Sequence, residues 1–493
     1  PLPALDKRAD STALTDTGGT ALGRALAPGV AAHPGLTGVH PLPNPRDAFA
    51  TRMVLAAAAE KSLDAQYYIW HDDPAGLLLL EALWQAAERG VRVRLLIDDN
   101  NTAGMDATLA ALDAHPRIEV RLYNPFVQRS ARTLGYLSDF ERLNRRMHNK
   151  SFTADNQVTV VGGRNIGDEY FAVGDGVAFA DLDVAAVGAA VGQVSQQFDL
   201  FWNSASAYPA AGLLPAPGAQ AAAELQARFA AARADPRAVA YLDAVRDTPV
   251  VRDVLARTLD FEWARARLVH DDPAKTLDTG RNTDLLLFPE LVRAIGVPKK
   301  SLDLVSPYFV PGAAGTDVLV SMASRGVAVR ILTNSLAASD VSAVHAGYAK
   351  RRVELLRAGV RLYELKPTAG REMPDSRGMG SSSSSGLHAK TFAVDGERIF
   401  IGSFNFDPRS ALLNTEMGLV IDSPTMARAL AEGFETQVPR LAYEVRLAPD
   451  GGSLQWVERS AAGEKVFGTE PETSAMQRLG VGVMSVLPIE WLL

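Results

Sequence analysis

The chain has 493 residues, 47% of them apolar and 22% charged, and it contains no cysteine. Such apolar content excludes wholesale disorder, and the absent cysteine excludes disulfides, cysteine metal sites and a thiol nucleophile. A net charge of −7 and a pI of about 5.7 weigh against a general nucleic-acid binder.

Residues 1–45, rich in Pro, Gly, Thr and Ala, read as an extended arm lying over the body. Residues 47–60 then predict a helix, 62–70 a strand, 76–88 a helix, and 91–97 and 118–123 two further strands. Strands alternating with helices indicate βαβ units and a mainly parallel sheet. The same order returns later. Ser301-Leu302-Asp303 repeats Ser62-Leu63-Asp64 239 residues on, Arg325-Gly326-Val327 repeats Arg89-Gly90-Val91 236 on, and Arg361-Leu362-Tyr363 repeats Arg121-Leu122-Tyr123 240 on. A near-constant offset across three elements is an internal duplication. It replaces the roughly three domains suggested by length with two homologous α/β halves, 46–204 and 283–440. Residues 205–282 read as a helical insertion, helical over 223–268, and 441–493 as a hairpin (454–457 with 465–468) followed by an apolar tail. Residues 370–386, with five consecutive serines at 381–385, read as a flexible loop running into the second motif, either a lid or a surface connection.

Two segments carry the chemistry. His148, Lys150, Asp155, Gly162, Gly163 and Asn165 follow the pattern H-x-K-x4-D-x6-G-[GS]-x-N, and His388, Lys390, Asp395, Gly402, Ser403 and Asn405 follow it again, His388 lying 240 residues after His148. Either segment alone is weak evidence, since a lone His on a strand is usually structural. Two copies in register with the duplication point to function. Alternate residues of a strand share a face, so each His projects with its Lys, and the Asp turns the chain into a returning strand. Two imidazoles flanked by ammonium and amide donors suit phosphoryl transfer. One imidazole attacks phosphorus, the other moves the proton of the leaving and entering alcohols, and the lysines supply the cationic field without a metal. A carboxylate on the far ring nitrogen would fix each tautomer. Glu416 is the candidate for His388, and Asp183 sits at the comparable place for His148.

Both segments resemble the HKD motif of the phospholipase D superfamily, and the resemblance covers nearly the whole chain from about residue 48. It implies a bilobed α/β fold of two halves with mostly parallel central sheets packed face to face and one active site at their interface. It implies a phosphohistidine intermediate and no cofactor. His148 resembles the nucleophile and His388 the general acid/base; Lys150, Lys390, Asn165 and Asn405 resemble phosphate binders, and Asp155 and Asp395 supports of the motif. Gly163 stands where the second copy has Ser403, so any hydroxyl contribution is one-sided. The stretches 147–171 and 402–420, with the ending 487–493, are similar to bacterial cardiolipin synthases of the C-type branch. That similarity implies phospholipid substrates and phosphatidyl transfer to phosphatidylglycerol, with phosphatidylethanolamine as an implied donor. Hydrolysis to phosphatidic acid and, less favoured, a phosphodiesterase or nuclease are the alternatives.

No nucleic-acid partner is expected. The partner surface is a bilayer, reached peripherally on the bacterial inner membrane, because no apolar run reaches the roughly 18 residues that span one. The tail 479–493 reads as a docked terminal element or an interfacial segment. The basic run Arg142, Arg145, Arg146 reads as a solvated helix face or a headgroup contact. A first residue of Pro rather than Met suits a signal or anchor removed on the way to the periplasm.

Overall fold

The computed structural model describes every residue except 1, 7, 175–177, 257–258, 279–281, 340, 370–384, 461–462 and 486–493. The chain divides into two units: residues 1–174, 182–287 and 413–419 form the first, and residues 175–181, 288–412 and 420–493 the second.

The sheet of the first unit runs in the order Glu262–Ala264, Thr37–Leu42, Asp183–Gly188, Val158–Gly162, Ser151–Ala154, Ser62–Tyr67, Arg92–Asp98, Ile118–Tyr123, Ala207–Pro209. In the second the order from Met417–Ile421 onward is Arg398–Gly402, Thr391–Val394, Ser301–Val305, Ala328–Asn334, Arg361–Leu365, Ala442–Leu447, Leu454–Ser460, Gly463–Phe467. The parallel order expected of both sheets holds for three strands in each, those joined by helical crossovers. Their neighbours are antiparallel, so the sheets are mixed. The motif segments return as tight hairpins, which cannot give parallel neighbours.

The duplication is visible inside the packing. Asp64 and Arg94 pair at 2.6 Å in one sheet, and Asp303 and Arg330 at 2.6 Å in the other, each across adjacent parallel strands. The repeated Arg-Gly-Val ends a helix both times. Gly90 (φ 95°) and Gly326 (φ 87°) take the left-handed conformation that closes helices Pro74–Glu88 and Gly312–Ser324.

Two expectations are corrected. Residues 1–45 are not simply an extended arm. Ala21–Ala32 is a helix, and Thr37–Leu42 is a strand inside the first sheet. Its Pro41 suggested loop, but Pro41 pairs only with Val184, beyond the reach of the short Glu262–Ala264 strand, so its missing N–H breaks no ladder on that side. The stretch expected to be helical to residue 268 ends instead in strands Glu262–Ala264 and Ala266–His270, after helices Ala221–Ala234, Pro236–Arg246 and Pro249–Ala256. The end of the chain adds helix Pro424–Thr436, the expected hairpin and helix Ala475–Ser485, whose Val481 and Met484 dock on Leu336, Ala346 and Ala349. Of the loop expected over 370–386, residues 370–384 lie outside the described residues, as does the tail beyond residue 485, whereas Ser385 and Gly386 are not loop but open the short strand Ser385–Leu387. Among the described residues no helix is long and apolar enough to cross a membrane.

Candidate functional site

The two motif segments are built alike. Each His–Lys pair lies in chain just ahead of a strand, Ser151–Ala154 or Thr391–Val394, rather than within it as expected. The chain then turns at Asp155 and Asn156 (φ 50° and 51°) or Asp395 and Gly396 (φ 57° and 66°), the left-handed pair that tight hairpins require. The Asp155 carboxylate accepts the backbone N–H groups of Glu60, Lys61 and Ser62. Asp395 accepts those of Lys299, Lys300 and Ser301. Each motif Asp therefore ties its hairpin to the start of the antiparallel neighbour, Ser62–Tyr67 or Ser301–Val305. Burial works to raise the Asp395 carboxyl, but the three N–H donors outweigh it and hold it below the usual range.

Each histidine is held by a clamp of the same design. In the first unit the His148 N–H donates to the Thr415 carbonyl at 2.9 Å, and the next residue, Glu416, meets His148 Nδ1 with its Oε2 at 2.8 Å. In the second the His388 N–H donates to the Ala180 carbonyl at 2.8 Å, and the next residue, Asp181, meets His388 Nδ1 at 2.5 Å. Glu416 is wholly buried and Asp181 nearly so. This corrects both expected assignments: Glu416 serves His148, not His388, and Asp183 serves neither. Asp183 instead binds Arg52 at 2.9 Å and accepts the Arg164 N–H, a buried structural pairing. The reason is a crossing of the chain. Residues 413–419 follow the second motif yet belong to the first unit, and residues 175–181 follow the first motif yet belong to the second. Nδ1 engaged by a carboxylate directs chemistry to Nε2.

Around each imidazole the other motif residues gather. Lys150 and Lys390 are buried, and each donates one ammonium N–H to the carbonyl of its own motif His at 2.5 Å. Tyr68 meets the His148 ring edge-on at 5.0 Å between centroids, and Phe179 stacks on His388 at 5.4 Å. Asn165 accepts the Ile69 N–H through Oδ1 at 3.1 Å, which ties it to the chain beside Tyr68. Its Nδ2 is buried and has no hydrogen-bond partner among the described residues, a donor well suited to an anionic oxygen. Asn405 donates its N–H to Ser410 Oγ at 3.3 Å. Gly163 donates its N–H to the Leu182 carbonyl, and Ser403 at the matching position is fully buried. Gly162 is required by packing, because a Cβ there would lie 2.1 Å from Asp183 Oδ1.

Three positioning residues escape the motif reading. Asp98 accepts the Met147 N–H at 2.7 Å and pairs with Arg146 at 2.6 Å, fixing the chain just before His148. Its counterpart 236 residues on, Asn334, accepts the Leu387 N–H at 2.8 Å and donates to the Leu387 carbonyl at 3.0 Å, just before His388. The repeat offset at Arg-Gly-Val, also 236, was the signal for this pair. The third, Asp271, has no duplicate. Its Oδ2 accepts the Glu416 N–H at 2.7 Å, its own N–H donates to the Glu416 carbonyl at 3.0 Å, and its Oδ1 takes Leu287 N–H and Lys275 Nζ. Burial pushes its carboxyl up, with Lys275 opposing. The basic run is spent internally: Arg146 on Asp98, Arg142 on Asp139, and Arg145 on the carbonyls of Lys275 and Asp278. It is therefore neither a solvated face nor a headgroup contact.

Carboxylate-oriented imidazoles beside buried lysines and amides, one set in each of two duplicated units, are the equipment of a phospholipase D-type phosphoryl transferase. The chain belongs to the family described as cardiolipin synthase, phospholipase D-like domain, whose model matches residues 54–202 and 291–438. It is 49% identical over 476 residues to cardiolipin synthase C of Escherichia coli (strain K12), covering 96% of this chain and 99% of that protein. It is 25% identical over 393 residues to a major cardiolipin synthase of Bacillus subtilis (strain 168), covering 79% of this chain and 66% of that one. Among solved structures, the phosphatidylserine synthase of Haemophilus influenzae Rd KW20 shares the fold with a TM-score of 0.58 at 14% identity, over 96% of this chain and 100% of that chain.

Proposed function

We propose that this chain is a phosphatidyltransferase that makes cardiolipin. His148 Nε2 attacks the phosphorus of a donor phospholipid. The bond from phosphorus to the headgroup oxygen breaks, and His388 gives that oxygen its proton, releasing glycerol from phosphatidylglycerol or ethanolamine from phosphatidylethanolamine. The terminal headgroup hydroxyl of a second phosphatidylglycerol then loses its proton to His388 as its oxygen attacks phosphorus. The nitrogen–phosphorus bond breaks and both imidazoles are restored. Lys150, Lys390, Asn165 and Asn405 hold the phosphoryl oxygens as charge builds on them. The reaction takes place peripherally at the bacterial inner membrane, on the periplasmic side.

The observation that carries this reading is the clamp repeated around both histidines, a backbone acceptor followed by a carboxylate on Nδ1. Relatives named as cardiolipin synthases support transfer over hydrolysis. The test is incubation with phosphatidylglycerol, with and without phosphatidylethanolamine, in the presence of a chelator, and resolution of the lipids by mass. Cardiolipin is the expected product, and phosphatidic acid alone would replace transfer by hydrolysis. His148→Ala and His388→Ala should each abolish turnover, and an unchanged rate in either would refute the paired-imidazole mechanism.

A further inference from the structure

The segment between strand Ile118–Tyr123 and the first motif carries an apolar surface that the reaction does not use. Leu137 is 84% exposed, Leu134 55%, Val127 51% and Phe140 45%. Leu134 and Leu137 lie one turn apart on helix Arg132–Ser138, and Phe140 opens the next helix, Phe140–Leu143. The opposite side of the segment is committed inward, with Phe126 and Leu143 buried. Soluble proteins seldom gather large apolar side chains on one outward crest without a partner.

The base of this crest is polar and tied down by ion pairs and hydrogen bonds. Arg129 pairs with both Asp99 and Asp106 at 2.5 Å, Arg132 donates to the Asp99 carbonyl at 2.6 Å, and the Tyr136 hydroxyl donates to Asn100 Oδ1 at 2.6 Å. Apart from Asp106, these anchors are Asp99 and Asn100, at the end of strand Arg92–Asp98. The adjacent residue Asp98 holds Met147, next to His148, so crest and nucleophile are pinned to consecutive residues of one strand end.

We propose that the crest formed by Val127, Leu134, Leu137 and Phe140 docks this enzyme on a phospholipid bilayer beside His148. The inference rests on the reading of the substrates as phospholipids. Their phosphorus lies at headgroup depth, and apolar side chains inserted roughly 5–10 Å into the headgroup and acyl boundary would hold a neighbouring imidazole at that level. A base pinned to the strand end that also holds Met147 lets the insertion fix the height of the site and not merely tether it.

The full chain carrying Leu137→Asp and Phe140→Asp should bind vesicles of phosphatidylglycerol and phosphatidylethanolamine at least about tenfold more weakly in flotation, with a comparable loss of turnover on those vesicles. Turnover of a short-chain phosphatidylglycerol kept monomeric should stay within about twofold of the parent. Unchanged vesicle binding would overturn the proposal, as would equal losses on vesicles and monomers. Dissociation of an oligomer in lipid-free buffer would overturn it too, since a second copy would then be the occupant. If the parent turned over neither substrate, the functional reading would fall, and flotation would still decide the crest.

Discussion

Glu416→Gln isolates what the carboxylate contributes to His148. The substitution keeps length and shape, and the backbone of residue 416 stays fixed from both sides by Asp271. The acceptor 2.8 Å from Nδ1 becomes a neutral amide. Hydrogen bonds to charged groups contribute roughly 1.5–3 kcal/mol, about twice the neutral kind, and the excess matters most when the imidazole gains positive charge on bonding to phosphorus. The amide can also present its NH2 to Nδ1 and favour the wrong tautomer. Losing up to the whole contribution slows formation of the phosphohistidine by roughly 10- to 150-fold. Rapid-quench single turnovers on detergent-dispersed phosphatidylglycerol, with the phosphorylated peptide measured by mass, read that step directly. A rate within threefold of the parent would refute the idea that the carboxylate works through His148.

Gly162→Ala should destabilise by about 3 kcal/mol, since its Cβ would press on backbone as well as side-chain atoms of Asp183; an unchanged denaturation midpoint would contradict that. Asp271→Asn removes the buried carboxylate that Lys275 pairs with and should cost roughly 3–5 kcal/mol, whereas adding Lys275→Met should recover at least half in chemical denaturation. Asp168, which accepts the Ala75 N–H, has a carboxyl pushed up to about 7, first by burial and then by the charge of Asp73. The folded state thus holds a proton that the unfolded chain has already released. Stability should fall as pH rises from about 4 to 7, by at most about 1.4 kcal/mol per unit, and Asp168→Asn should flatten that slope in melts at stepped pH.

The motif geometry was legible because duplication makes each half a control for the other. The hairpin turns, the Asp supports and the helix-ending Arg-Gly-Val all recur at their offsets, and local sequence rules account for them. The carboxylates that orient the imidazoles were not legible. Proximity in sequence assigned Glu416 to His388, 28 residues away, whereas the fold sends it to His148, 268 residues away. Spacing carries no record of a strand that crosses from one unit to the other. Strand Thr37–Leu42 was hidden by Pro41, whose cost depends on a neighbour ending early. Asp271 was hidden because, without a copy elsewhere, nothing distinguished it from other carboxylates. Asp98 and Asn334 do the same work with different residue types, which a search for identities overlooks.

The crossed clamps bear on how such a molecule could arise. A lone ancestral repeat would hold a histidine and a carboxylate that could not meet within one chain. Two identical copies exchanging these short segments would satisfy both at once, and any change in the gene would alter both clamps together. Joining the copies in a single chain would release that constraint. The carboxylates now differ, glutamate on His148 and aspartate on His388, so a change in one clamp leaves the other as it is.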